Sequence, residues 1–242
     1  MKTWTLFSKD KVLRRVEGFE PLVAQWEKGT HPAQIRLHKY LDWLTKNLSP
    51  LPGEPNGLFL HLEIDVHNPG RLLRHNDLEN YLTPLFGRRW LGHEKFVLVS
   101  ATKKVGGGSY VEIGSVRPLP GNYYDDDWES FECSPEVGTS TKQWKEILWL
   151  FLESTQPRPL PSGPVEVHLA WRCSPQRNWV NLWKATGDVM GPILGYASKS
   201  NRFHPNDDRI VSLSLHKCLD PSLVHSVDVG MWWHRKPNGT QT

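Results

Sequence analysis

The sequence predicts an α+β protein in which two tandem β-α-β-β units follow an N-terminal helical segment. Three observations point to this fold class. Strand-like and helix-like segments alternate along the chain, a proline-rich link interrupts them at residues 156–164, and two blocks of similar sequence lie on either side of that link. Alternation of two-residue and 3.6-residue hydrophobic periods is typical of mixed folds. The predicted units span residues 58–116 and 164–242, with a helical segment at 1–57 and a connector at 117–163.

The N-terminal segment, residues 1–57, is predicted to be helical. Two stretches, residues 10–29 and 31–48, space their apolar residues three and four positions apart, as one face of an α-helix does. The sequence "SPLPGEPNG" at 49–57 is rich in turn formers and ends the segment.

The first unit begins with "LFLHLEIDV", residues 58–66, whose alternating pattern is typical of a strand. A helix is predicted at 80–91. Two further strands, "KFVLVSATK" and "SYVEIGSV", follow at 95–103 and 109–116, and the glycines at 106–108 between them favour a hairpin turn.

The connector is acidic and rich in turn formers at 117–140, and its "KQWKEILWLFLEST" at 142–155 predicts an amphipathic helix. The second unit then repeats the order of the first. Its predicted elements are a strand at 164–172, a helix at 178–195 and strands at 209–217 and 226–233.

Composition excludes several classes of protein. The chain has 242 residues, of which 38% are apolar and 12 are Trp, enough to fill a core, so it is not a disordered protein. No stretch approaches the roughly 18 apolar residues that cross a bilayer, and the charged N-terminus has no signal-peptide core, so a cytoplasmic protein without a membrane partner is predicted. The three cysteines form no CxxC pair and are predicted to be buried apolar side chains.

The two units align with each other as an internal repeat. "EKFVLVSATK" at 94–103 matches "DRIVSLSLHK" at 208–217. The alignment pairs Asn80 with Asn181, Glu94 with Asp208, Ser100 with Ser214, Lys103 with Lys217 and Glu112 with Asp228. Chance similarity between two α+β segments is the alternative, because strand patterns are degenerate.

Asp77 and Glu79 lie two positions apart, just before the helix predicted at Asn80. Residues at i and i+2 of an extended chain point to the same side, and Glu94, at the start of the next strand, is positioned to join them. Converging carboxylates supply the hard oxygen ligands that Mg²⁺ requires. These three residues are therefore predicted to bind Mg²⁺, with Asp65 a weaker fourth candidate. The alternative is that Asp77 caps the helix and Glu79 interacts with its dipole.

Basic residues surround this acidic pair. Seven cations accompany three carboxylates between residues 71 and 104: Arg71, Arg74, Arg88, Arg89, Lys95, Lys103 and Lys104. A polyanion such as DNA, held over a metal site, suits this distribution. The alternative is a solvated surface of mixed charge.

The second unit resembles the RusA-type Holliday-junction resolvases. Their pattern is Asp-x-Asp-Asn-x-x-Lys, an Asp four residues later, and then an Asp-Asp pair before a strand. The second unit matches at five positions and departs at the two leading aspartates; the matches are Asn181, Lys184, Asp188, Asp207 and Asp208, and the departures are Asn178 and Val180. The first unit has the reverse pattern, since Asp77, Glu79 and Asn80 match while Thr83 replaces the lysine.

This resemblance implies a Mg²⁺-dependent DNA endonuclease. The family works as a homodimer, so the chain is expected to be a fused pseudo-dimer that needs no further oligomerisation. The residues expected to act in catalysis are Asp77, Glu79, Glu94 and Lys103, and those expected to bind DNA are Arg71, Arg74, Arg88, Arg89, Lys104 and Lys184. In the second unit no metal is expected, Asp207 and Asp208 are interpreted as turn residues, and Lys184 with Asp188 as a surface ion pair.

Two other interpretations stay open. A catalytically degenerate module that binds nucleic acid or protein is consistent with the loss of the lysine from one unit and of the leading acids from the other. The resemblance to the resolvases is also compatible with an unrelated α+β protein, since short acidic motifs are frequent.

Overall fold

The computed structural model describes residues 4–24, 30–74, 77–87, 90–120, 123–125, 127–135, 142–156, 158–198 and 200–237. Within those ranges the chain forms one eight-stranded sheet and five α-helices, so the predicted α+β class is confirmed. In chain order the elements are β1 (Phe7–Glu17), α1 (Pro32–Leu48), β2 (Leu58–Asp65), α2 (Leu78–Leu82), β3 (Phe96–Lys104), β4 (Tyr110–Pro118), β5 (Glu129–Cys133), α3 (Lys142–Thr155), β6 (Val165–Cys173), α4 (Val180–Gly187), α5 (Gly191–Leu194), β7 (Ile210–Leu219) and β8 (Asp228–Arg235).

The sheet has the same connectivity on either side of its middle. Its order is β1-β4-β2-β3-β7-β6-β8-β5. In the first half, β2 is parallel to β3 and antiparallel to β4; in the second half, β6 is parallel to β7 and antiparallel to β8. The antiparallel pair β3 and β7 joins the halves, with Ser100 opposite Ser214. We call residues 7–118 the first half and residues 129–235 the second half.

The register of the strands also repeats. Ser100 lies opposite His61, and Ser214 lies opposite His168. The parallel ladders in both halves have a register shift one residue after their start, at Leu58 in β2 and at Val165 in β6. The aligned pairs Ser100 with Ser214 and Lys103 with Lys217 therefore occupy equivalent positions in the sheet.

The predicted pairing of Glu112 with Asp228 does not follow the sheet register. His61 lies opposite Glu112, whereas its counterpart His168 lies opposite Trp232. Trp232 thus takes the place equivalent to Glu112, four residues beyond Asp228. A shift by an even number keeps every side chain on its face of the sheet, so the alternation in sequence could not distinguish the two alignments.

The helix predicted at 10–29 is wrong over residues 10–24, of which 10–17 belong to β1; residues 25–29 lie outside the described residues. This strand pairs antiparallel with β4 at the edge of the sheet. Arg15 lies opposite Glu112, its Nη1 is 2.9 Å from the Glu112 carboxylate, and its guanidinium lies 3.8 Å from the centre of the Tyr110 ring. These cross-strand contacts override the helical spacing of the apolar residues. The helix predicted at 31–48 is confirmed as α1.

The connector contributes a strand that the sequence analysis missed. β5 pairs antiparallel with β8 at the opposite edge from β1. Because α3 follows β5 as α1 follows β1, the N-terminal segment and the connector hold equivalent places in the two halves. The repeated connectivity therefore extends over both segments, which the predicted unit boundaries at 58 and 164 leave out.

The main core lies between one face of the sheet and the helices. Leu37, Leu41, Leu44 and Leu48 of α1 are buried there. Four Trp side chains in this core are fully buried: Trp144, Trp171, Trp179 and Trp183. None of the helices in the described ranges combines the length and apolarity needed to cross a membrane.

Candidate active site

Asp77 lies at the N-cap position of α2, with extended backbone angles. Its side chain makes no capping hydrogen bond to the helix backbone. Instead, the carboxylate accepts a hydrogen bond from Asn80 Nδ2 at 2.9 Å. The capping alternative therefore does not describe this side chain, which is oriented by Asn80 and turned towards the second half of the sheet.

Asp207 and Asp208 meet Asp77 from the second half of the protein. They begin a short 3₁₀ turn, Asp207–Arg209, directly before β7. The carboxyl groups of Asp207 and Asp208 lie close enough to the Asp77 side chain to alter its pKa. All three line a cleft of about 340 Å³, together with Asn80 and His204. We call this cleft the acid cleft.

Burial and mutual repulsion alter the acidity of this cluster. Burial raises the pKa of Asp207 to about 8, and the carboxylates of Asp77 and Glu79 add to the effect. Burial and the neighbouring Asp208 raise the pKa of Asp77 as well. A carboxyl group whose pKa is about 8 is largely protonated at neutral pH. At neutral pH the cluster therefore retains protons that isolated aspartates would lose.

Lys103 approaches the same cluster from β3. Its side chain is buried, and Nζ donates a hydrogen bond to the backbone oxygen of Asp208 at 2.6 Å. Burial lowers the pKa of Lys103 to about 8, against the opposing effect of Asp208, Asp77 and Asp207. The structure thus brings this predicted residue from the first half against the turn of the second half that carries the aspartates.

Glu79 is bound to Lys184 rather than to a second carboxylate. It is buried in the first turn of α2, and its Oε1 accepts a hydrogen bond from Lys184 Nζ at 3.0 Å. Burial raises the pKa of Glu79, while the Lys184 ammonium acts in the opposite direction. Lys184 also contacts Asp188 at 2.9 Å, and Asp188 pairs with Lys145. The predicted Lys184–Asp188 pair is therefore confirmed, but it belongs to a larger network that spans both halves.

Glu94, predicted to join Asp77 and Glu79, lies in a different set of contacts. Its carboxylate accepts a hydrogen bond from the His93 backbone at 3.0 Å, and its electrostatic neighbours include Lys217 of the second half. The antiparallel crossing of β3 and β7 explains this placement, since it carries the start of each strand towards the other half. Asp65, the weaker candidate, accepts hydrogen bonds from Gly106 and Gly108 in the hairpin turn.

The predicted basic residues are placed unevenly. Arg71 and Arg74 are exposed beyond the end of β2. Lys104 pairs with Glu63 on the face of the sheet opposite the helices. Arg88 and Arg89 lie outside the described residues. Of the DNA-binding set, Lys184 is the residue that reaches the network around the acid cleft.

Sequence reasoning underrated Asp207 and Asp208. Their interpretation as turn residues is confirmed by the 3₁₀ turn, but it leaves out their meeting with Asp77, for which their match to the resolvase pattern is the available signal. The sequence of one unit could not predict this site, because Asp77 comes from the first half and Asp207 and Asp208 come from the second.

Arg209 fixes the turn that carries the two aspartates. It is buried, and its guanidinium donates hydrogen bonds to backbone oxygens of the link before β6 and of α5. The acceptors are Gly163 at 3.1 Å, Leu160 at 3.3 Å, Leu194 at 2.7 Å, and Pro161. These four hydrogen bonds hold the start of β7 against α5 and the proline-rich link that precedes β6.

We expect Arg209→Met to destabilise the protein by about 2–5 kcal/mol, because several buried carbonyl oxygens lose their donor. Urea unfolding monitored by Trp fluorescence measures the change. Arg36→Met, on the exposed face of α1, is the matched control and should stay within about 0.5 kcal/mol of the wild type. Equal stability of the two variants would show that Arg209 does not anchor the turn.

The carboxyl groups of the acid cleft are potential oxygen donors to a metal ion. Among the described residues, no group of three or more His, Cys, Asp or Glu side chains is arranged to hold one. Asp77, Asp207 and Asp208 line the acid cleft together without forming such a group. Their oxygen chemistry nevertheless suits Mg²⁺, which is commonly bound through one or two carboxylates, with water and substrate phosphate completing its shell.

Comparison with known proteins assigns neither a family nor a function to this chain. No model of a known protein family matches the chain, and no curated protein matches it either.

Proposed function

We propose that the protein is a Mg²⁺-dependent DNA endonuclease with a RusA-like, internally duplicated fold and a single composite active site. The observation that carries the proposal is the meeting of Asp77 from the first half with Asp207 and Asp208 from the second. Acidic residues with raised pKa values in a cleft are characteristic of functional sites. Burying several carboxyl groups side by side destabilises the folded protein, and a function in binding or catalysis would explain why they are kept there.

The repeated connectivity supports the duplicated fold. A protein that once formed a twofold dimer would build each site from both subunits, and fusion of the subunits would keep that arrangement. In this chain, Asp77, Glu79 and Lys103 come from one half and Lys184, Asp207 and Asp208 from the other. The resolvase pattern, incomplete in each unit, is thus assembled across the two.

We assign Asp77 and Asp207 as the two carboxylates that would hold Mg²⁺. Both carry raised pKa values, and a divalent cation bound there would displace the protons that they retain. Mg²⁺ bound there would supply the charge that activates a water molecule and stabilises the leaving oxygen of a phosphodiester. A site with two protein carboxylates is compatible with the absence of a three-residue ligand set in the described residues.

The lysines have separate tasks in this proposal. Lys184, whose side chain is half exposed, places its ammonium where a phosphate can approach the cleft. Lys103 is buried and holds the Asp208 backbone, so it positions the aspartate pair. Glu79 and Asp188 orient Lys184 through its ammonium group.

The positions equivalent to the acid cleft, where the second half supplies the helix, have lost most of their acidic residues. Only one active site is therefore proposed. By the alignment of the halves, Asn178 and Val180 stand where Asp77 and Glu79 stand, and His93 and Glu94 stand where Asp207 and Asp208 stand. Trp179 Nε1 donates to the His93 backbone oxygen at 3.4 Å, which places the start of α4 beside this turn. Glu94 is thus the one carboxylate at the positions equivalent to four acids of the acid cleft. A protein with a single acidic site would cut one DNA strand per binding event.

A plasmid assay tests the proposal. Supercoiled DNA is incubated with the protein in Mg²⁺, in Mn²⁺ or in EDTA, and the products are separated on a gel. We expect nicked circles to accumulate well before linear DNA, and only with a divalent metal, because one site cuts one strand. A four-way junction and a linear duplex of the same sequence then identify the substrate. DNA binding without any metal-dependent cleavage would favour the non-catalytic module instead.

A further inference from the structure

A cleft of about 1040 Å³ lies on the face of the sheet opposite the helices, and the proposed nuclease does not use it. Its floor is polar where β2, β3 and β7 run side by side. The polar side chains on this floor are His61 and Glu63 of β2, Ser100 and Thr102 of β3, and Ser212 and Ser214 of β7. We call this cleft the sheet cleft.

A serine and a histidine contact each other on this floor. His61 and Ser100 lie opposite each other in the parallel pair of β2 and β3, and both side chains are buried. The Ser100 hydroxyl lies 2.9 Å from Nδ1 of His61. The other acceptor in reach of this hydroxyl, the Leu60 backbone oxygen, is more distant at 3.5 Å. Ser100 therefore has an imidazole nitrogen directly against its oxygen.

The second nitrogen of His61, Nε2, faces hydrogen-bond acceptors. Thr102 donates its hydroxyl proton to Glu63, so the Thr102 oxygen can only accept from Nε2, which lies 3.5 Å away. The Glu63 carboxylate lies 3.6 Å from the same nitrogen. Both contacts assign the imidazole proton to Nε2, and this leaves Nδ1 as the acceptor for the Ser100 hydroxyl.

The ionisation states of Glu63 and His61 suit proton transfer from a serine. Burial opposes ionisation of Glu63, but His61, Thr102 and Lys104 outweigh burial and lower the pKa of Glu63 to about 2. Burial lowers the pKa of His61 below its ordinary value. At neutral pH the carboxylate is therefore ionised and the imidazole is neutral, and a neutral imidazole can act as a general base towards a hydroxyl.

Ser214 supplies a second hydroxyl beside this pair. It lies directly opposite Ser100 in the antiparallel pair of β3 and β7, so the two Cβ atoms are about 4.5–5.5 Å apart on the same face of the sheet. Ser214 is partly exposed in the sheet cleft, and its hydroxyl has no hydrogen-bond partner among the residues that the structure describes. A free hydroxyl next to a nucleophile can donate to an oxyanion that forms there.

The second half of the sheet holds its histidine differently. Nδ1 of His168, the equivalent of His61, lies 2.9 Å from the Tyr124 hydroxyl. A serine takes that place in the first half. The second-half equivalent of Ser100 is Ser214, which is not bonded to the histidine of its own half. Repetition of the sheet therefore does not account for the contact between His61 and Ser100.

We propose that the sheet cleft is a second active site, which hydrolyses carboxylic esters with Ser100 as the nucleophile. Ser100 Oγ attacks the carbonyl carbon while its proton passes to Nδ1 of His61, and Ser214 donates a hydrogen bond to the oxyanion. The carbonyl then re-forms, and the alcohol leaves with the proton from His61. Water attacks the acyl-serine by the same route, which releases the acid and restores the hydroxyl. Glu63 stabilises the imidazolium in both steps.

The walls of the sheet cleft indicate the kind of ester. Apolar side chains line the cleft beside the polar floor, and they are Phe7, Leu72, Leu98 and Leu119. Such a surface, in a cleft large enough for a small molecule, suits an apolar acyl group. The proposal does not depend on the nuclease, because none of these residues lines the acid cleft.

A fluorophosphonate probe tests the nucleophile, because an activated serine displaces its fluoride and retains the phosphonyl group. Mass spectrometry of the digested protein locates the adduct. We expect it on Ser100, absent from Ser100→Ala and retained in Ser212→Ala, the matched control from the same cleft. Hydrolysis of p-nitrophenyl butyrate should be lost in Ser100→Ala. It should fall about 100-fold in His61→Gln and in Ser214→Ala, which remove the base and the oxyanion donor.

His168→Gln is the matched control for His61→Gln, because it also removes a buried imidazole, and it should keep the adduct and the esterase rate. Thermal unfolding shows that each variant is folded. A wild type without an adduct on Ser100, or ester turnover that persists in Ser100→Ala, overturns the proposal. Equal loss of activity in both histidine variants rejects His61 as the base. Asp77→Asn should keep the full esterase rate, so failure of this proposal is distinguishable from failure of the nuclease.

Discussion

Asp77→Asn is expected to reduce metal-dependent nicking by about 100-fold or more, because it removes a carboxylate assigned to the metal. Asparagine can still accept the hydrogen bond from Asn80, so the start of α2 should keep its geometry. The initial rate of nicked-circle formation at saturating Mg²⁺ measures the effect. Thermal unfolding in EDTA should show equal or greater stability, since one of the crowded acids has lost its charge.

Two further variants define the specificity of that result. Asp10→Asn changes an exposed aspartate on the edge strand β1 and should nick at the wild-type rate. Glu94→Gln should lose far less activity than Asp77→Asn, because Glu94 lies with Lys217 and not with the aspartates. A large loss in Glu94→Gln together with full activity in Asp77→Asn would instead support the ligand set that the sequence predicted within one unit.

The second large effect concerns stability as a function of pH in the absence of divalent metal. The folded-state pKa of Asp207 is about 8, well above the value of about 3.9 expected in the unfolded chain. Between these values the folded protein holds a proton that the unfolded chain has lost. Stability therefore falls as pH rises from about 4 to 8, and the loss is complete above the folded pKa.

Asp207→Asn removes this dependence. In EDTA the variant should match the wild type near pH 4.5 and exceed it at pH 8 by on the order of 2 kcal/mol, a value reduced for partial exposure to solvent. Urea unfolding at the two pH values measures the difference. Added Mg²⁺ should stabilise the wild type at pH 8 and leave the variant nearly unchanged. A wild type and variant with parallel pH profiles would contradict the assignment of the raised pKa to Asp207.

These two predictions have a common physical basis. Carboxylates that repel one another in a buried cleft destabilise the metal-free protein, and the same repulsion favours binding of a divalent cation. The stability that this repulsion removes from the metal-free protein is thus regained when a divalent cation binds. Arg209 maintains the cluster against this repulsion by anchoring the turn through four backbone oxygens.

Helices and strands could be predicted from the sequence where the hydrophobic periodicity matches the burial of the side chains. The helix at 142–155 was predicted with the bounds that α3 has, and β2 was predicted to within one residue. β1 was missed because charged side chains at an edge strand obscure its alternation, and pairing with β4 decides its conformation. β5 was missed because five residues in an acidic, turn-rich segment carry little periodic signal.

The sequence by itself determined that the chain repeats a strand and helix pattern and that Asp77 and Glu79 begin an acidic motif. Only the tertiary structure decided that Asp77 joins Asp207 and Asp208 and that Glu94 joins Lys217. The reason is that the antiparallel pairing of β3 with β7 brings the turn before each strand to the helix of the other half. Such contacts link residues more than a hundred positions apart, as Lys184 and Glu79 are, and no periodicity within either half encodes them.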